Sequence, residues 1–223
     1  MNKLFFGDNL SVLRNHVKDE TVDLVYLDPP FNSNANYNVL FREGGSASEA
    51  QAEAFRDTWS WGDHAAVAFD EVTRQGGDIA PLIRSFRQWL GDNAMMAYLA
   101  MMAVRLIELR RVLKPTGSIY LHCDPIASHY LKILLDALFG HERFANEIIW
   151  QRSTGKSLMT RRLPNNHDVI LSFEGGQGRT WNSDAMFEPY DESDLPETVA
   201  AKYVHYDPDG RRYRLDSLIN PNP

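Results

Sequence analysis

The chain has 223 residues, of which 43% are hydrophobic and 24% are charged, which is typical of one globular domain with a small appendage. No apolar run approaches the ~18 residues of a transmembrane helix, and the N-terminus lacks the apolar segment of a signal peptide. The single cysteine, Cys123, excludes an intrachain disulfide and a multi-cysteine zinc site, and no close histidine pair indicates another metal site. These observations predict a cytoplasmic protein with no metal and no membrane partner.

The formal net charge of −7 argues against a protein that coats nucleic acid electrostatically. The charge is uneven along the chain. Residues 151–179 hold five Lys or Arg against two acids, whereas residues 181–200 hold six acids and no Lys or Arg. The basic stretch therefore suits contact with phosphates, with a solvated loop as the alternative, and the acidic stretch is expected to be a solvated surface.

The first 30 residues predict two strands around a short helix. Lys3–Gly7 is a short apolar run, and Asn9–Val17 has helical spacing with Asp8 as its N-cap. Val22–Leu27 is a second apolar run that must stop at Asp28, because two prolines follow. Strand, helix and strand in this order predict a parallel βαβ unit.

The middle of the chain predicts a long insertion and then a long helix. Residues 32–75 are polar, with scattered aromatic residues and a predicted short helix over Ser48–Arg56. Asp92–Leu113 consists of strong helix formers, including four methionines that are expected in the core. Ser118–Cys123 then predicts a third strand.

The second half continues the alternation. Ser128–Phe139 predicts an amphipathic helix, Glu147–Gln151 and Asp168–Phe173 predict two strands, and Tyr203–Arg214 predicts a hairpin. Together the predicted elements indicate an α/β fold with an open sheet, mostly parallel with an antiparallel edge.

Three polar clusters follow predicted strands: Gly7-Asp8-Asn9, Asp28-Pro29-Pro30-Phe31 and His122-Cys123-Asp124. In open α/β sheets, ligands bind outside the carboxyl ends of the strands, so we expect a site there. In the third cluster, His122 and Cys123 are expected to have a structural role at the end of the strand.

The tetrapeptide Asp28-Pro29-Pro30-Phe31 has a direct physical interpretation. The two prolines carry no N–H groups and have fixed φ, so nearby carbonyls point outward beside the Asp28 carboxylate. Phe31 adds an aromatic face. Two acceptors and an aromatic ring suit a planar base that carries an amino group.

Several motifs together resemble the DNA amino-methyltransferases, the DNA methylase N-4/N-6 family, and within it the permuted class of type III modification subunits. The tetrapeptide at 28–31 matches the family's catalytic motif, and Gly7-Asp8-Asn9-Leu10 resembles its Gly-Asp strand end. Residues 113–124 and 167–171 resemble later family strands, and Phe55–Trp61 is similar to modification subunits. The similarity covers roughly residues 3–175.

The resemblance implies a Rossmann-like sheet that binds S-adenosylmethionine and transfers its methyl group to the exocyclic N6 of a flipped adenine in double-stranded DNA. Asp28 and the Pro29 carbonyl would accept from the amino group, Pro30 completes the motif, and Phe31 would stack on the base. Asp8, Asn9 and Asp28 are the predicted cofactor-binding residues. A serine at the Asp28 position is commoner in cytosine-N4 enzymes, which remain an alternative, whereas enzymes that methylate protein amides usually carry Asn there.

Further residues are predicted to contact DNA or border the base pocket, with turn formation or loop packing as the alternative for several of them. They are Asn32, Asn34, Tyr37, Trp59, Trp61, Arg152, Lys156, Arg161 and Arg162.

The glycine-rich cofactor loop of the family is not found. Residues 173–178 are the nearest match, but Gln177 stands where the second glycine belongs, so a turn is the favoured interpretation. Because the catalytic motif comes first, the loop is expected downstream, in a longer enzyme of a prokaryotic or phage restriction-modification system. Residues 1–178 are then a partial catalytic domain, interrupted by the 32–75 insertion, and residues 179–223 are the start of a DNA target-recognition region.

The partners that this interpretation implies are DNA, a second copy or a complementary downstream polypeptide, and a restriction subunit. An inactive remnant, or one half of a split enzyme that binds DNA without catalysis, remains an alternative.

Overall fold

The computed structural model describes residues 2–31, 35–39, 42–43, 46–47, 52–57, 59–152, 166–183, 185 and 196–214. The chain forms two units, Met1–Thr180 and Trp181–Pro223. Their boundary lies near the predicted one, but the roles of the two regions stay predictions.

The described residues contain helices, strands and one short 3-10 turn at His141–Arg143. The helices are α1 Asn9–His16, α2 Asp63–Gln75, α3 Ile79–Leu90, α4 Ala94–Val112, α5 Ser128–Phe139 and α6 Glu197–Ala200. The strands are β1 Val22–Leu27, β2 Ala35–Val39, β3 Arg42–Glu43, β4 Ser46–Ala47, β5 Ala52–Asp57, β6 Leu113–Cys123, β7 Phe144–Gln151, β8 His167–Phe173, β9 His205–Tyr206 and β10 Arg212–Tyr213.

The central sheet has four strands in the order β1-β6-β8-β7. β1 and β6 are parallel, with Leu27 opposite Leu121, whereas β8 is antiparallel to both of its neighbours. The α/β class and the antiparallel edge are confirmed. Among the described residues, one strand pairing of this sheet is parallel and two are antiparallel, and the Rossmann-like arrangement stays a prediction.

One face of this sheet carries the core. Ile119 and Leu121 of β6 and Leu171 of β8 are buried in the core that α4 and α5 share, and burial alternates along the second half of β6, whereas β8 is buried from Asp168 to Phe173. α4 is almost entirely buried, and its N-cap Asn93 accepts a hydrogen bond from the backbone N–H of Met96. The predicted core position of the α4 methionines is confirmed, because Met96, Met101 and Met102 are buried.

α1 is fastened to α4 by ion pairs and backbone contacts. Arg14 pairs with Glu108, and the Arg111 guanidinium donates to the Leu13 carbonyl at 2.9 Å and the Val17 carbonyl at 3.2 Å. These carbonyls belong to the last turn and C-cap of α1, which need partners outside the helix. The clamp fixes the chain that enters β1.

Several predicted elements are confirmed with small changes of boundary. α1, β1, α4 and α5 are found where they were expected, and the predicted strands of the second half are β7 and β8. Gly140 closes α5 with a φ of 93°, a conformation that favours glycine. β6 is longer than predicted and begins at Leu113.

Three expectations for the N-terminal half are wrong. Lys3–Gly7 is not a strand, and Leu4 and Phe6 are exposed, because no described strand pairs with this segment. The predicted local βαβ unit is therefore replaced by the distant parallel pairing of β1 with β6. In the predicted helix Ser48–Arg56, residues 52–56 belong to β5, which pairs antiparallel with β2, so long-range pairing overrides helix propensity.

The second unit is small. β9 and β10 form an antiparallel hairpin whose turn is held by the Asp207 side chain, which accepts from the backbone N–H groups of Asp209 and Arg211. This hairpin confirms the prediction for Tyr203–Arg214. None of the helices in the described ranges combines the length and the apolar character that spanning a bilayer requires.

Candidate active site at one end of the four-stranded sheet

The Asp28 carboxylate lies directly after the carboxyl end of β1. Its side chain is 61% exposed, while Pro29, Pro30 and Phe31 are partly buried. The strand stops here because neither proline has an N–H to donate to the ladder with β6, so the acid is held at the sheet's end rather than within it. The tetrapeptide therefore occupies the position at which α/β sheets bind ligands.

The register of the sheet brings three more ionisable side chains to the same end. β6 runs parallel to β1, so His122 follows the Leu27–Leu121 pair, while Asp168 is the second residue of the antiparallel β8 and Arg152 follows β7. In the sheet order these residues form a row: Asp28, His122, Asp168 and Arg152. We call them the polar row.

Distances within the polar row are short. His122 Nδ1 lies 3.4 Å from Asp28 Oδ1, and His122 Nε2 lies 3.3 Å from Asp168 Oδ2. Arg152 Nε lies 3.2 Å from Asp168 Oδ1. Carboxylates thus alternate with a histidine and an arginine, which is the arrangement that charge pairing favours.

The polar row lies on the sheet face opposite the helices. Side chains alternate along a strand, so residues two positions apart share a face of the sheet. Each member of the polar row therefore shares its face with one residue of the strand that it lies on or follows: Tyr26 with Asp28, Tyr120 with His122, Ile170 with Asp168 and Trp150 with Arg152. Tyr26 and Trp150 are more than half exposed, and we call this side the open face. The helix-bearing side is the covered face.

Aromatic rings surround His122. The ring of Phe31 meets it edge-on, with centroids 5.1 Å apart and an interplanar angle of 65°, and Tyr26 Oη lies 3.4 Å from His122 Nδ1. Phe31 therefore lies beside both the acid of its own tetrapeptide and the histidine of the next strand. A flat ligand at Asp28 would find an aromatic ring at its side.

Burial shapes the residues that follow His122. Burial raises the pKa of the Cys123 thiol to about 12, so the thiol is neutral and unreactive. Burial also raises the pKa of the Asp124 carboxyl, and the backbone N–H groups of Ala127 and Ile126 lower it in part. Asp124 Oδ1 accepts from the Ala127 N–H at 3.0 Å, which holds the turn before α5. The structural interpretation of Cys123 fits this geometry.

The predicted cofactor residues Asp8 and Asn9 lie together at the start of α1. Asp8 caps the helix by accepting from the Leu10 N–H at 3.2 Å, and Arg105 of α4 donates to Asp8 at 2.6 Å and to Asn9 at 2.8 Å. A cavity of about 400 Å³ adjoins them, lined also by Trp59 and Met101. No contact in the described part of the chain joins this group to Asp28.

The two predicted tryptophans are packed. The ring centroids of Trp59 and Tyr98 lie 6.0 Å apart, and so do those of Trp61 and Phe69. The Arg87 guanidinium carbon lies 4.5 Å from the centroid of the Trp61 ring. This is the packed-loop alternative for both residues, and contact with DNA stays a prediction.

Tyr37 lies on β2, of which only the backbone is described. The other predicted substrate residues, Asn32, Asn34, Lys156, Arg161 and Arg162, lie outside the described residues.

The nearest match to a cofactor loop is a turn, as the sequence favoured. After β8 the described residues up to 183 form no helix, and the Gly176 N–H donates to the Pro115 carbonyl at 3.1 Å. A Cβ on Gly175 would lie 2.2 Å from the backbone carbon of Thr116, so this glycine allows a close backbone approach. Its role is packing.

Comparison with known proteins identifies the family. Residues 22–210 match the model of the N6/N4 methyltransferase family, described as DNA methylase. The chain therefore belongs to this family of DNA methylases, and the resemblance carried by its motifs is confirmed.

Individual relatives include Mod subunits of type III restriction-modification enzymes and a type II methyltransferase. The chain is 29% identical over 181 residues to the Mod subunit of the type III enzyme StyLTI from Salmonella typhimurium, covering 79% of this chain and 24% of that protein. It is 26% identical over 182 residues to the type II methyltransferase M.EcaI from Enterobacter cloacae, covering 81% and 31%. It is also 26% identical over 172 residues to the EcoP15I Mod subunit from Escherichia coli, covering 76% and 23%. The chain spans about a quarter to a third of these relatives' lengths.

Sequence reasoning found Asp28 but not the row beside it. His122 was assigned a structural role, Asp168 was only part of a strand, and Arg152 was a candidate for DNA contact. The one available signal was that each of these polar residues adjoins an end of an apolar strand. Strand order and register were needed to join them.

Proposed function

We propose that this chain carries the base-binding and catalytic tetrapeptide of a DNA amino-methyltransferase, which methylates the exocyclic N6 of a flipped adenine. The observation that carries the proposal is the position of Asp28-Pro29-Pro30-Phe31 in a member of the DNA methylase family. The tetrapeptide follows β1 directly, and its Phe31 ring contacts His122.

The residues of the tetrapeptide divide the work on the base. The exocyclic nitrogen of adenine is a poor nucleophile because its lone pair is delocalised into the ring. The Asp28 carboxylate and the Pro29 carbonyl accept hydrogen bonds from the amino group and favour a more pyramidal nitrogen with an available lone pair. Asp28 need not take the proton before transfer, since positioning and electrostatics supply much of the rate.

Phe31 supplies the stacking surface for the flipped base. Stacking of a base on an aromatic side chain contributes roughly 1–3 kcal/mol per base in nucleic-acid complexes. The edge-on contact with His122 fixes one side of the Phe31 ring. The base is therefore held in a plane that brings its amino group to Asp28.

The residues beside α1 fit a nucleoside cofactor. A half-exposed carboxylate, Asp8, borders a half-enclosed cavity with the Trp59 ring, and the buried Trp59 indole N–H has no hydrogen-bond partner among the described residues. Asp8 and Asn9 would hold the hydroxyl or amino groups of S-adenosylmethionine. When bound, this cofactor supplies an electrophilic sulfonium methyl group.

The proposed substrate is double-stranded DNA, and the proposed setting is a restriction-modification system like those of the two Mod subunits. Arg152, the member of the polar row whose side chain is 47% exposed, is the described residue that is best placed to approach a phosphate. A second copy, a complementary polypeptide and a restriction subunit are the proposed protein partners.

The experiment is a methyl-transfer assay with labelled S-adenosylmethionine and double-stranded DNA, followed by nucleoside analysis of the product. The chain is assayed alone and together with the polypeptide encoded directly downstream. We expect N6-methyladenine, and we expect Asp28→Ala to reduce transfer by about 100- to 1,000-fold or more. Asp23→Ala, an exposed acid on the same strand, is the matched control and should keep the wild-type rate.

Each alternative has its own outcome. N4-methylcytosine as the product would reassign the base, and full transfer by Asp28→Ala would remove Asp28 from the chemistry. A second candidate function, a split-enzyme subunit that binds DNA, is favoured by the turn at Gly175, because this turn is the nearest match in the sequence to the cofactor loop. DNA binding with transfer only after the partner is added would support that candidate.

A further inference from the structure

His122 lies between two carboxylates of different environments. Asp28 is 61% exposed and reaches Nδ1, whereas the side chain of Asp168 is only 4% exposed and faces Nε2. His122 itself is 16% exposed. The ring therefore connects a buried acid with the acid of the tetrapeptide.

The buried Asp168 carboxylate needs an explanation of its own. Burying a charge is costly unless it is paired, and removing one partner of a buried pair is strongly destabilising. Within ion-pair distance of Asp168 lie the His122 ring at one oxygen and Arg152 at the other. The proposed methyl transfer does not use Asp168, so its position is best explained by what it does to the ring.

The geometry gives that ring a defined direction. Asp168 Oδ2 lies 3.3 Å from Nε2, the Phe31 ring packs edge-on against the imidazole, and Nδ1 lies 3.4 Å from Asp28 Oδ1. Each ring nitrogen faces one carboxylate oxygen, and a ring nitrogen that carries a hydrogen can donate it to the oxygen that it faces. Tyr26 Oη, at 3.4 Å from Nδ1, is the remaining polar neighbour on this side.

Resting on the function proposed above, we propose that His122 is a positioning residue for Asp28 and that Asp168, with Arg152, positions His122. An exposed carboxylate on its own samples several rotamers, which must be given up when the base binds. With Oδ1 held by His122, Asp28 keeps its other oxygen for the amino group of the base. The polar row thus preorganises the acceptor before the base arrives.

The first test reads the contact without any methyl transfer. The ring nitrogens of His122 are followed by NMR in the 223-residue chain with isotope-labelled histidine. Asp168→Asn should move the Nε2 signal most, and Asp28→Asn should move the Nδ1 signal most. His141→Gln, at a histidine whose side chain is 87% exposed, is the matched control and should move neither. Unmoved His122 signals in both site variants would overturn the proposal.

The second test separates positioning from binding. His122→Phe keeps a flat ring against Phe31 but removes both ring nitrogens, so kcat should fall by about 10- to 100-fold while KM for DNA and for S-adenosylmethionine stays unchanged. His122→Gln restores a donor and should recover part of the loss. A purely structural role of His122 predicts instead that kcat is unchanged, or that the loss of kcat in each variant follows its loss of stability.

The two proposals fail in different ways. Transfer by Asp28→Ala, or no transfer by the wild-type chain with its downstream partner, contradicts the proposed function, and the NMR result then decides the His122 contact alone. Transfer that depends on Asp28 but not on His122 leaves the proposed function standing and overturns the positioning role.

Discussion

The two faces of the central sheet differ in what their side chains do, although the same strands supply both. On the covered face Leu121 and Leu171 are buried under α4 and α5, and the alternating neighbours on the open face include Tyr26, Tyr120 and Trp150. The polar row continues the open face at its end. Because side chains alternate between the two faces of a sheet, the residues that stabilise the fold lie on one face and the candidate site residues on the other. A single substitution on one face should therefore change either the stability or the activity, but not both.

The largest expected effect on stability is on the covered face. Leu121 is fully buried, and Leu121→Ala should lower the free energy of unfolding by about 2–5 kcal/mol, because it leaves a cavity. Leu24, on the open face and 58% exposed, is the matched control, and Leu24→Ala should change it by less than about 0.5 kcal/mol. Urea denaturation measures both. Equal losses would mean that the open face is also covered in solution.

Thiol labelling tests the same division kinetically. Cys123 belongs to the covered face, and its thiol pKa of about 12 keeps it protonated at neutral pH. Iodoacetamide should therefore label the native chain at least ~100-fold more slowly than the unfolded chain, since labelling requires opening. Leu24→Ala, on the open face, should leave the labelling rate unchanged. Fast native labelling would show that the covered face opens readily.

A smaller effect is expected where β8 leaves the sheet. Gly175→Ala places a Cβ 2.2 Å from the backbone carbon of Thr116, and backbone cannot yield as a side chain does. We expect a loss of about 1–3 kcal/mol in the free energy of unfolding by denaturant titration. Gly176→Ala is the control, because a Cβ there has no heavy atom within 4 Å. Equal stability of the two variants would refute the close approach.

The sequence could predict elements whose signal is local. α4 has strong helix formers and the N-cap Asn93, and β1 is an apolar run cut by prolines, so both were expected. α2 and α3 were missed, and Pro81 reads as a helix breaker although it lies in the first turn of α3, where proline is tolerated. Lys3–Gly7 has strand character but no described strand beside it, and propensity cannot supply a partner.

The candidate site divides in the same way. Asp28 could be found because its whole motif is contiguous in sequence. The other members of the polar row meet Asp28 only because the strand order is β1-β6-β8-β7, which differs from the chain order. In a sheet of mixed direction, strand order and register decide which residues become neighbours, and neither can be derived from local sequence patterns.

The smallest effect concerns Asp124, at the boundary between the two faces. Burial raises the pKa of its carboxyl in the folded chain, so the folded state binds a proton more readily than the unfolded state. Its contribution to stability is then complete below the carboxyl pKa of the unfolded state, about 3.9, and is lost as the pH rises through the pKa of the folded state.

Asp124→Asn stays neutral and can still accept from the Ala127 N–H. The free energy of unfolding of this variant, relative to wild type, should therefore rise between about pH 3 and pH 7 in urea titrations. A difference that falls over this range would mean that the backbone donors outweigh burial, and that Asp124 acts as an ordinary cap of α5 rather than as a buried acid at the edge of the covered face.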